Sequence, residues 1–96
     1  MENSTQGYPV PNTNTQEILL QLILTGQVSI FDFSYLSGFR TRVSELVLTH
    51  GLELEKEIKS DVNKFGNSYW YALHKLPEDK KDFAAELYFK LINRNT

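Results

Sequence analysis

Gly38-Phe39-Arg40-Thr41-Arg42-Val43-Ser44-Glu45-Leu46-Val47-Leu48-Thr49-His50-Gly51 reads as a helix closed by a glycine. With Phe39 at zero on a wheel of about 100° per residue, Val43, Leu46, Val47 and His50 fall on its side. Thr41, Ser44, Glu45 and Leu48 face away, with Arg40 and Arg42 on the two flanks. The period then changes from helical to alternating. Leu52, Leu54 and Ile58 point one way, Glu53, Glu55, Glu57 and Lys59 the other, and Lys56 is the exception on the apolar side. That alternation predicts a half-buried strand over residues 52–59. Asn63, Gly66 and Asn67 predict a hairpin tip within 61–67, and Tyr69-Trp70-Tyr71-Ala72-Leu73 its return arm.

Upstream, residues 1–12 are polar and interrupted by Gly7, Pro9 and Pro11, which predicts a flexible arm. Thr13 with Gln16, or Asn14 with Glu17, supplies an N-cap and its partner three residues on. The first helix is expected over about 15–24, with Ile18, Leu19, Leu22 and Ile23 as its apolar face and Gly26 as its C-terminal cap. Gln27 and Val28 form a short strand, and Ser29 with Asp32 opens a second helix over about 30–36, ended by the Ser37-Gly38 turn. Downstream, Pro77 suits the first position of a last helix whose dipole Glu78 and Asp79 favour. Its stripe is Phe83, Ala84, Leu87, Tyr88, Leu91 and Ile92, opposite Asp82, Glu86, Lys90 and Asn93.

Ninety-six residues allow one domain and leave no room for a deep cleft between two. The absence of cysteine removes disulfides and thiolate chemistry. No apolar run approaches the roughly 20 residues needed to span a bilayer. No basic segment precedes the first apolar run, so a cytoplasmic location is expected. The net charge of −2 argues against a strongly basic nucleic-acid binder. All ten basic residues, however, lie from Arg40 onward, where they meet nine acidic ones for a balance of +1.

Residues 18–76 resemble the small winged helix-turn-helix domains of phage and mobile-element proteins. The elements that carry the resemblance are 18–24, Ser29-Ile30, Arg42-Val43-Ser44-Glu45-Leu46, Gly51-Leu52-Glu53-Leu54 and the aromatic arm Tyr69-Trp70-Tyr71-Ala72-Leu73. Two departures stand out. Val47-Leu48-Thr49 occupies a place where such domains often carry basic residues, and the strand entering the wing is acidic. The resemblance implies an α+β winged helix-turn-helix, with a three-helix core and a hairpin wing, over 13–76. Residues 77–96 would add a C-terminal helix, either closing the domain's own core or making a dimer contact.

A small regulatory or accessory protein that binds double-stranded DNA is the expected function. The helix after Gly38 would enter the major groove, with Arg40, Thr41, Arg42 and Ser44 reaching bases or phosphates. Lys59, Asn63 and Lys64 would hold phosphates from the wing. The alternative is a protein-interaction module of the same fold without DNA affinity, to which Leu48, Tyr88 and Ile92 would contribute as partner or homodimer contacts.

Other chemistry finds no support in the sequence. Glu53, Glu55 and Glu57 stand about 7 Å apart on a strand, too far to share one ion, and fit solubility or edge protection better. His50 suits a helix C-terminus, and neither it nor His74 has a second ligand at a usable spacing. Trp70 flanked by Tyr69 and Tyr71 could present stacking surface for single-stranded bases, but alternation sends the tyrosines and Trp70 to opposite faces, so core packing is expected for at least one side. No nucleophile elbow or phosphate-cradling loop occurs. Neither an enzyme, a cofactor, a metal nor a small-molecule substrate is expected.

Overall fold

A computed structural model describes residues 7–33 and 38–94. These residues form an α+β arrangement of three α-helices and a three-stranded antiparallel sheet. In chain order they are α1 (Asn14–Thr25), β1 (Gln27–Ser29), a 3-10 turn (Ile30–Phe33), α2 (Phe39–Leu48), β2 (Glu55–Val62), β3 (Ser68–Lys75), a second 3-10 turn (Glu78–Lys80) and α3 (Lys81–Arg94). The sheet order is β1-β3-β2, which leaves the outer part of the β2–β3 hairpin projecting beyond the short β1. This order of elements is compatible with a winged helix.

Helix ends follow the chemistry of their terminal residues. Thr13 caps α1 by accepting a hydrogen bond from the Gln16 amide at 3.2 Å. Gly26 takes the left-handed conformation that ends α1, at φ 86°, and its amide donates to the Leu22 carbonyl. At the end of α2, Gly51 adopts φ 75° and lets the Leu52 amide donate back to the Leu46 carbonyl at 3.0 Å. Both of those leucines are buried, so the reversal also seats Leu52 in the core.

Two expected elements differ from the sequence reading. Of the second helix only a single 3-10 turn is seen. Within it the Ser29 amide donates to Asp32 and the Phe31 amide donates to Ser29 Oγ. Residues 34–36 of that expected helix, and Ser37, lie outside the described residues. The strand expected from Leu52 begins instead at Glu55. The reason lies opposite it: Pro77, which would face Glu53 in the continued register, has no amide to extend the ladder.

The core gathers Ile18, Leu19, Leu22 and Ile23 of α1, Val28, Phe33, Phe39, Val43, Leu46, Leu52 and the inner face of α3. α3 therefore closes this domain's own core. Tyr88 and Ile92 are buried in it and offer no interface, because their helix lays its apolar stripe on α1.

The segment 7–12 is also not a free arm. Tyr8 stacks on Phe89 with ring centroids 5.5 Å apart, and the Tyr88 hydroxyl donates to the Pro9 carbonyl. The buried Gln16 side chain ties the layers together. Its Oε1 accepts from the Asn12 amide at 2.7 Å, and its Nε2 donates to the Leu91 carbonyl at 3.2 Å. Residues 1–6 of that expected arm lie outside the described residues.

Candidate nucleic-acid interface

Regular pairing of β2 with β3 assigns every hairpin residue to a face. Glu55, Glu57, Lys59 and Asp61 pair with Lys75, Leu73, Tyr71 and Tyr69 on one side. Lys56, Ile58, Ser60 and Val62 pair with His74, Ala72, Trp70 and Ser68 on the other. The first face is partly covered by Phe31, whose ring meets Tyr69 and Tyr71 edge-on at 5.8 and 4.9 Å. The second turns toward α2, where Phe39 lies 6.1 Å from His74.

This division separates charge as well as shape. All three hairpin carboxylates stand on the Phe31 side. There Glu57 pairs with Lys75 at 2.7 Å and with Lys59 at 3.2 Å. The Lys75 ammonium, and then Lys59, hold the Glu57 carboxyl below its ordinary range, and Glu57 in turn raises Lys75. Beyond the strand, Glu53 pairs with Lys80 at 2.9 Å. The glutamate row is thus largely balanced by lysines on its own side.

On the other side, α2 and the hairpin bound a groove of about 410 Å³. It is lined by Arg40, Val43 and Ser44 from α2, by Lys56 and Ile58 from β2, and by Trp70, Tyr71, Ala72 and His74 from β3. Among the described residues no carboxylate lines it. Burial, followed by the neighbouring Lys56, holds His74 below its ordinary value of 6.5, so it is neutral at neutral pH. Among the described residues Arg40 and Lys56 therefore set the charge of the groove.

The sequence-expected contacts separate accordingly. Arg40, Thr41 and Ser44 are exposed on α2, and Arg40 and Ser44 border the groove. Arg42 turns to the other flank, with Nη1 3.6 Å from Glu45, whose carboxylate also accepts from the Thr15 hydroxyl of α1. Lys59 is on the far face of the hairpin. Asn63 holds the tip: its Oδ1 accepts from the Phe65 and Asn67 amides at 2.9 and 3.1 Å. Lys64 remains at the tip with its ammonium 5.3 Å from the Phe65 ring centroid.

Lys56 and Trp70 were not among the expected DNA contacts. Lys56 had a legible signal, as the one charge on the otherwise apolar face of its strand. Core packing was expected for at least one side of the aromatic arm; Trp70 is 71% exposed, because the projecting hairpin has no layer over that part of its face among the described residues. Leu48 is 82% exposed on the outer stripe of α2 and is not covered by α3. Comparison with protein-family models, curated proteins and solved structures finds no match. No helix among the described residues is long and apolar enough to cross a membrane.

Proposed function

We propose that this chain is a winged-helix protein that binds double-stranded DNA, as a small regulatory or accessory protein. The exposed stripe of α2, with Thr41 and Ser44, would face the base edges, and the hairpin would lie alongside on the backbone. The observation that carries this reading is the separation of charge across the hairpin. Arg40 and Lys56 border a groove without carboxylates, whereas Glu55, Glu57 and Asp61 stand on the opposite face. A net charge of −2 is therefore compatible with a locally cationic surface that neutralises phosphates.

The test is charge reversal at two places. Arg40→Glu with Lys56→Glu should abolish duplex binding. Lys81→Glu with Lys90→Glu on α3 changes net charge equally and should weaken binding far less. Equal losses from both pairs would defeat the proposed site. The exposed Leu48 favours a second reading, in which α2 docks on a protein partner; such a surface would ignore both charge reversals and lose its partner on Leu48→Asp.

A further inference from the structure

We infer that the hairpin carries a stacking platform for an unpaired nucleobase, formed by Trp70, so that the chain prefers duplex DNA adjoining an unpaired segment. This rests on the duplex-binding reading above and adds a second element to the same surface. Trp70 is 71% exposed on the α2-facing side of β3, beside Ile58 and Ala72 and directly across from Ser60. An indole held on a strand in this way leaves a large apolar surface in water, and no residue of the hairpin covers it.

The charge around it selects the partner. Arg40 and Lys56 line the same groove, among the described residues no carboxylate does, and His74 is neutral. A cationic border around an open aromatic surface complements a base on a phosphodiester strand. An acidic segment could satisfy the cations, whereas a base on a phosphodiester strand meets both the cations and the indole face. Paired bases keep their faces inside the stack and present only edges in the grooves. A base within a duplex can therefore cover the face of Trp70 only by leaving its pair.

Spacing fits a strand that leaves a duplex. Lys56 is directly across from His74, and Trp70 is four residues from His74 along β3. That is about 14 Å along the strand, or roughly four phosphate steps of one B-form DNA strand. A strand paired beside α2 can thus meet Lys56 through its backbone and place an unpaired base on Trp70 further toward the hairpin tip.

Trp70 is the only tryptophan, so its emission reports the site directly. Three probes should be titrated: a blunt duplex, one of its strands alone, and the same duplex with an unpaired tail. Affinity is read from the anisotropy of labelled DNA. The expected result is tighter binding of the tailed duplex than of either other probe, with quenching of Trp70 emission by the tail. Trp70→Ala should weaken tailed-duplex binding roughly 5- to 150-fold, the range for loss of one base–aromatic stack, and weaken the blunt duplex far less. Trp70→Phe should restore most of the loss, and circular dichroism should show both variants folded. Equal binding of tailed and blunt duplexes with unchanged emission would overturn this inference and leave the duplex reading intact. Equal losses of both duplexes in Trp70→Ala would also overturn it. Failure of all three probes to bind would defeat both.

Discussion

Arg40 and Arg42, two residues apart, leave α2 on opposite flanks: Arg40 borders the groove beneath the hairpin, and Arg42 lies 3.6 Å from Glu45 on the side toward α1. The two should therefore differ in function. Arg40→Ala is expected to weaken duplex binding and reduce the slope of log affinity against log salt by about 0.9, the loss of one phosphate contact. Arg42→Ala should leave that slope unchanged and cost no more than about 1 kcal/mol of stability, since its ion pair is largely exposed. Salt titrations of the two variants decide the point.

A similar contrast applies to the hairpin. Lys56 points into the groove, whereas Lys59 is on the other face beside Glu57. Lys56→Ala is expected to reduce DNA affinity, and Lys59→Ala to leave it unchanged. Equal effects would mean that the hairpin's faces do not differ toward DNA.

Much of this arrangement was legible in the sequence because it depends on local chemistry. Gly26 and Gly51 end their helices, and alternation sorts the hairpin residues into two faces. What alternation could not show was how far each face would be covered. Ile58 read as the apolar side of its strand and Trp70 as one of two faces of which at least one should be buried, but β1 contributes only three residues and the hairpin runs past it. The helical wheel likewise placed Arg40 and Arg42 on two flanks without showing which one faced the hairpin. The apolar stripe with Tyr88 and Ile92 suited either the domain's own core or a dimer contact, and spacing alone did not show that the first helix covers it.

Asn63 is a structural residue of the hairpin tip in this account. Removing its side chain leaves the Phe65 and Asn67 amides without their acceptor. Asn63→Ala should cost roughly 0.5–1.5 kcal/mol, the net worth of an ordinary hydrogen bond. The loss should appear as faster amide exchange confined to 63–67.

Burial pushes the Tyr88 hydroxyl up from 10.0 to about 12. In that interval the unfolded chain releases the proton before the folded one does. The associated stability is fully present below pH 10 and is lost as pH rises toward 12. Tyr88→Phe removes the bond to the Pro9 carbonyl and should cost roughly 0.5–1.5 kcal/mol near neutrality. Denaturation midpoints of the two proteins should then converge across the alkaline range; a constant gap would contradict this role for Tyr88.

Leu48 separates the two functional readings. Because its side chain is 82% exposed, Leu48→Asp should leave the denaturation midpoint of the chain unchanged. If the protein is a monomer on DNA, size-exclusion elution should also be unchanged. A shift to later elution would show that this leucine holds two copies together.

The most direct measurement is anisotropy of a labelled mixed-sequence duplex titrated with the protein at salt concentrations from about 50 to 200 mM. With Arg40, Lys56 and Lys64 as the cations of this surface that no carboxylate pairs among the described residues, log affinity should fall against log salt with a slope of roughly −2 to −3, at about 0.9 per phosphate neutralised. Absence of binding at low salt, or an affinity indifferent to salt, would contradict the claim that this groove receives DNA.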